Sequence, residues 1–116
     1  MNFSEPAMVD VLGVGASSID FVYELPATPI PDSPTAKLRI SRHVMSPGGQ
    51  TATTLCTCAS LGLRTKYIGT IGNDANGIRL REALDARGVD VSSALVRNAA
   101  SPYAVILVDE HHGERI

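Results

Sequence analysis

The sequence predicts an α/β fold, and three observations carry that reading. Short β-branched runs recur along the chain, two segments between them hold apolar residues at helical spacing, and glycine or asparagine marks most of the joins. Composition agrees. The 116 residues are 44% hydrophobic and 19% charged with a formal net charge of −2, which suits a globular chain rather than a disordered one. Surface scaling gives a compact form of roughly 6,000 Å² against roughly 18,000 Å² for the extended chain, enough burial for a hydrophobic core.

The elements follow in order. Residues 9–14 (Val-Asp-Val-Leu-Gly-Val) read as a first buried strand. Ile19, Phe21, Tyr23 and Leu25 alternate with Asp20, Val22 and Glu24, the period of a half-exposed strand. Pro26, Pro29, Pro31 and Pro34 impose an extended or turning connection. Leu38, Ile40 and Val44 alternate with Lys37, Arg39, Ser41 and His43 and predict a second one-sided strand, with Lys37, Arg39 and Arg42 as its solvated face. One face of this pair has to cover something, because an isolated two-stranded ribbon is marginal in water.

Ser46-Pro47-Gly48-Gly49 is expected to break the chain. Ala52, Leu55, Cys56, Ala59 and Leu63 then form a helical stripe, and Gly62 marks the helix end. The rest of that helix is Thr and Ser, which suggests cover on more than one side. Residues 67–71 read as a second central strand. Asn73, Asp74 or Asn76 caps a second helix with Leu80, Ala83 and Leu84 inward, and Gly88 stops it. Residues 89–97 predict a turn and a short strand, residues 103–108 a strong strand, and residues 111–114 the turn after it.

Several function classes are disfavoured. Ten basic against twelve acidic residues give no basic excess for a nucleic-acid partner. Glu5 and Asp10 precede the first basic residue, Lys37, so no secretory signal is read and a cytoplasmic location is expected. The uncharged stretch 44–63 contains Pro47, Gly48, Gly49 and many hydroxyls, which argues against a membrane span. Cys56 and Cys58 would stand about 200° apart on a helix, so they neither pair nor share a metal ion. Reduced thiols and no metal site are the expectation.

Two glycine clusters carry little chemistry. Gly13-Val-Gly15-Ala-Ser-Ser18 follows a strand, but a dinucleotide fingerprint needs a third small residue, a helix and a later acid. Gly69 to Gly77 lacks the Gly-Lys-Ser/Thr end of a phosphate loop and reads as a capped strand-to-helix turn. Gly48-Gly49-Gln50 is more informative. Two glycines at a helix start let a ligand approach the backbone, and Gln50 offers both a donor and an acceptor to a hydroxyl-rich molecule.

The order of these segments resembles the PfkB-type (ribokinase-like) carbohydrate kinases. The resemblance runs from the Gly-x-Gly strand through Ile19-Asp20, Pro47-Gly48-Gly49-Gln50, Leu61-Gly62 and Gly69-Thr-Ile-Gly72-Asn-Asp74-Ala-Asn-Gly77. It continues through Gly88-Val89-Asp90, residues 104–109 and Gly113-Glu114-Arg115, nearly the whole chain. It implies an αβα sandwich whose β-ribbon lid, about residues 19–45, covers a sugar site. It also implies transfer of the γ-phosphoryl of ATP, with magnesium (Mg), to a hydroxyl of a sugar or nucleoside.

Carried over by position, Asp20 would accept hydrogen bonds from substrate hydroxyls. Gly48, Gly49 and Gln50 would bind the acceptor at the helix start, with Ser18 and Thr53 as further substrate-binding candidates. Tyr103 stands at a strand end, available to the site or to the core. Gln50 and Thr53 depart from the family's Gly-Gly-Asn-x-Ala-Asn pattern, which leaves the sugar open. The Gly-Ala-Gly-Asp-like segment that supplies the family's general-base Asp has no counterpart here, so no catalytic residue is assigned. Residues 1–116 are therefore expected to be the N-terminal portion of a kinase domain, inactive by itself, with the nucleotide-binding and catalytic half absent and an unprotected sheet edge. The alternative is a stand-alone sugar-binding or interaction module without catalysis. A homodimer of the complete protein through the lid ribbon is compatible with the resemblance.

Overall fold

The computed structural model describes residues 8–116. Strand β1 (Val11–Val14) runs parallel to β4 (Thr65–Ile68), which runs parallel to the short β6 (Val89–Asp90). Strand β2 (Ser18–Leu25) is the centre of a second sheet, antiparallel to β3 (Arg42–Gly48) and parallel to β8 (Tyr103–Asp109). Strands β5 (Thr70–Gly72) and β7 (Leu95–Arg97) form a third, parallel pair. Helix α1 (Gln50–Ser60) follows β3, and α2 (Ala75–Ala86) follows β5.

The core lies between the helices and one face of β1 and β4. Register places Val11 beside Thr65 and Gly13 beside Tyr67 on that face. Leu55 of α1 occupies the space over Gly13, where a Cβ would stand 2.6 Å from its Cδ1. Ala52, Leu55, Tyr67, Leu80, Leu84 and Val89 are all buried in this cluster. The Tyr67 hydroxyl, carried into the core with its ring, donates to the Gly15 carbonyl at 3.0 Å.

Several expectations are corrected. The strand at 9–14 is covered on one face only: Leu12 is 55% and Val14 71% exposed, because α1 and α2 pack on the opposite side. Among the described residues β1 pairs with β4 alone. The 67–71 strand divides at Gly69, whose carbonyl accepts from Leu95 N at 2.8 Å as the chain leaves β1 for β7. The second ribbon strand starts at Arg42 rather than near Leu38 and continues through Pro47 to Gly48. Proline fits there because β3 is an edge strand, and the opposing Ile19 amide turns the other way to the Pro102 carbonyl at 3.3 Å. Leu63 is 41% exposed, and Thr53, Thr54 and Thr57 face solvent rather than a second layer.

Both helices stop where expected. At the end of α1, Leu63 N donates to Cys58 O and Gly62 N to Ala59 O, with Gly62 at φ 88°, the double closure that glycine permits. The shape differs from the compact expectation. The accessible surface is 7,915 Å², and the radius of gyration of 18.0 Å exceeds the roughly 13 Å of a compact chain this long. The β3-β2-β8 sheet projects from the core and leaves much of its surface in solvent. Among the described residues no helix is long and apolar enough to cross a membrane.

Candidate functional site

The end of β3 brings Gly48 and Gly49 beneath the start of β2. Ser18 stands opposite Gly48 in the antiparallel register, and Asp20 opposite Ser46. The Asp20 carboxylate fills the volume that a Cβ at position 48 would need, so glycine is required while Asp20 points there. Ser18 Oγ donates to Asp20 Oδ1 at 3.1 Å and fixes one of its oxygens.

Gly49 adopts φ 87°, a left-handed conformation that a side chain disfavours, and a Cβ there would lie 3.1 Å from Ala16 O and Ser17 Cα. It is also the N-cap of α1 and supplies no side-chain acceptor to the helix amides. No acidic residue stands in the first turn of α1. The opening N–H groups of the helix therefore present donors and a positive end to anything that settles above them.

The six predicted residues form two adjoining groups. Ser18, Asp20 and Gly48 touch one another. Gly49, Gln50 and Thr53 line an open cavity of about 640 Å³ together with Thr54 and Arg115. Arg115 is the residue that spacing does not reveal. The turn after β8 reverses the chain, a bridge pairs Arg115 with Val108, and Ile116 N donates to Leu107 O at 3.0 Å. Its only signal in the sequence is its place in the Gly113-Glu114-Arg115 motif.

Tyr103 belongs to neither the core nor this site. It is 62% exposed and meets the ring of Phe21 edge-on at 6.0 Å, on the face of β2 that carries Ile19 rather than Asp20. His111 and His112 lie in the exposed turn, as expected. Asp109, buried at the far end of the β3-β2-β8 sheet, receives His111 N at 2.8 Å and Thr28 Oγ1 at 3.0 Å and lies 3.4 Å from His112 Nδ1. The His111 amide is the main cause holding its carboxyl below the usual range. Both cysteines are free, and burial pushes the Cys56 thiol up, away from an activated nucleophile.

A second cavity, of about 570 Å³, opens at the C-terminal ends of β1 and β4 between Val14, Ile68, Leu95 and Pro102. Ser17 belongs to its wall, with a buried hydroxyl that has no partner among the described residues. None of the predicted site residues lies in it.

The sequence profile of the pfkB family carbohydrate kinases matches residues 8–116. The chain belongs to that family. This pfkB-family chain is 33% identical over 106 residues to a nucleoside kinase of Methanothermobacter thermautotrophicus, covering 90% of the chain and 33% of the relative. It is 30% identical over 107 residues to an ATP-dependent ribose-1-phosphate kinase of Halopiger xanaduensis, covering 92% and 35%. The crystal structure of Escherichia coli phosphofructokinase-2 in complex with fructose-6-phosphate superposes with a TM-score of 0.76 at 26% identity, over 94% of this chain and 34% of that one. The pfkB-family chain thus spans about a third of the length of the relatives it matches. Its fold is ribokinase-like, with α1 and α2 on one side of β1-β4-β6 and β3-β2-β8 as a separate sheet.

Proposed function

We propose that this chain is the acceptor-binding N-terminal part of a kinase that transfers the γ-phosphoryl of ATP to a hydroxyl of a sugar or nucleoside. The observation that carries the proposal is the Asp20 carboxylate lying over Gly48, beside the uncapped start of α1. An ionised carboxylate only accepts hydrogen bonds, so Asp20 selects donors such as sugar hydroxyls, with Ser18 holding its orientation. Gln50 and Thr53 add a mixed donor and acceptor edge on the cavity side. The names of the relatives, kinases acting on nucleosides and on a phosphorylated sugar, support the same class.

The residues present do not fit Mg–ATP. The glycine-rich turn before α2 uses its Gly77 amide on the Asp74 cap, at 2.8 Å, rather than on a phosphate. On this reading residues 1–116 are a partial domain, and ATP, magnesium and the general base belong to polypeptide beyond it. The lid sheet, with Met45, Tyr103 and Val105 exposed, is where a second subunit would pair.

The test combines calorimetric titration with a panel of sugars and nucleosides and an ATP-turnover assay on the purified chain. Binding of a hydroxyl-rich acceptor without turnover is expected. Turnover by the 116-residue chain would overturn the division of labour, and a folded chain that binds no member of the panel would overturn the acceptor role.

A further inference from the structure

We infer that Tyr67 is a positioning residue: its hydroxyl, through the Gly15 carbonyl, sets where segment 15–18 carries Asp20 relative to Gly48. This inference rests on the acceptor reading and adds to it a residue of the core, behind the site. Tyr67 is fully buried, and its hydroxyl donates to Gly15 O at 3.0 Å. A phenyl ring would fill the same core space, so the hydroxyl has a task of its own. Burying a hydroxyl is costly unless it is bonded, and the chain keeps room for this bond. A Cβ on Gly69 would collide with both the Tyr67 hydroxyl and Gly15 O.

Segment 15–18 has few anchors and close neighbours. The β1–β4 ladder ends with Gly15 N on Ile68 O at 3.2 Å, and β8 takes hold at Ile19 N, on Pro102 O at 3.3 Å. Between these two anchors the Tyr67 bond is the one side-chain hydrogen bond to backbone among the described residues. Gly15 also lies against Thr51 of α1, where a Cβ would meet the threonine hydroxyl. A Cβ on Gly49 would stand 3.1 Å from Ala16 O and from Ser17 Cα, and Ser17 itself is buried. A segment packed this closely transmits a displacement instead of absorbing it. A shift at Gly15 therefore reaches Ser18, whose hydroxyl donates to Asp20 Oδ1 at 3.1 Å, and through it the carboxylate over Gly48. Tyr67 thus ties the orientation of the hydroxyl-accepting group to the core.

The test titrates the chain, Tyr67→Phe, Asp20→Asn and the double variant with ribose, fructose and adenosine, and records amide proton–nitrogen spectra of the chain and Tyr67→Phe. Tyr67→Phe keeps the ring, so the chain should stay folded while each probe that binds does so about 5- to 20-fold more weakly. In the Asp20→Asn background the same change should cost about twofold at most, because both residues act through one carboxylate. The amide signals of Ser17, Ser18, Asp20 and Gly49 should move as well. Unchanged affinity in Tyr67→Phe, or a penalty equally large in the Asp20→Asn background, overturns the inference. Spectral changes confined to residues beside the ring overturn it too, whether or not a probe binds. The acceptor reading fails separately, when Asp20→Asn binds every probe as the parent chain does. If no probe binds, the acceptor reading falls, and the spectra alone decide whether Tyr67 sets the segment.

Discussion

The two helices begin in opposite ways. At the start of α2, Asp74 Oδ1 accepts from Gly77 N at 2.8 Å and from Ser101 Oγ at 2.7 Å, while Ser101 N reaches Asp74 Oδ2 at 2.9 Å. The end is closed by the protein itself and tied to the segment before β8. At the start of α1 stands Gly49, with no side-chain cap and an open cavity above it. A helix with an unsatisfied end has to be held by its body, and α1 is: Ala52 and Leu55 are fully buried. The difference separates a terminus closed for stability from one left open, which the proposed function gives to a ligand.

Substitutions can break that contrast, and the largest effect belongs to the body of α1. Leu55→Ala should cost about 3 kcal/mol in denaturant unfolding, since it empties the space over Gly13 and beside Tyr67. A loss below about 1 kcal/mol would mean that something other than its apolar stripe anchors α1. Asp20→Asn should weaken acceptor binding about 10- to 100-fold in titration while leaving the unfolding midpoint unchanged. Gly49→Ala should destabilise by about 1–2 kcal/mol through its left-handed backbone, and it should depress acceptor binding as well.

On the α2 side the effects are smaller and confined to folding. Asp74→Ala should lower Tm by about 5 °C and leave acceptor binding alone, as loss of a cap does in a domain this size. The Ser101 hydroxyl, followed by the backbone amides of Ser101 and Gly77, holds the Asp74 carboxyl below its ordinary value. Its contribution is therefore complete above the ordinary carboxylate range and is lost as pH falls through the lower, folded value. Protection of the Gly77 and Ser101 amides, relative to their intrinsic exchange rates, should fall in that acidic window. The start of α1, which has no side-chain cap, should show no matching transition there.

Elements with a local period were legible in the sequence. The alternation from Ile19 to Leu25, the stripe through Ala52, Leu55 and Cys56, and the Asp74 cap all correspond to structure. What was not legible depends on distant partners. Residues 9–14 have the composition of a strand buried on both faces, yet only Val11 and Gly13 are covered, because burial of Leu12 and Val14 needs a layer that these residues do not supply. Pro47 looked like a breaker because its tolerance depends on which side of β3 is unpaired. The parallel alignment of β8 with β2 carries no short-range signature, and the approach of Arg115 to Thr53 follows from it. Of the candidate site, the touching group was visible as a motif, and the charged far wall was a product of topology.

Asp20 and Gly48 have a consequence for how this chain can diverge. The carboxylate occupies the space of the missing Cβ, so the two positions are not free to vary independently. A library that varies position 48 alone and is selected for acceptor binding should favour glycine, with larger residues enriched where position 20 has been shortened. That second path removes the proposed hydroxyl-binding group. A side chain at position 48 would have to turn the Asp20 carboxylate out of its present place, so drift there should travel with a change in the proposed acceptor site.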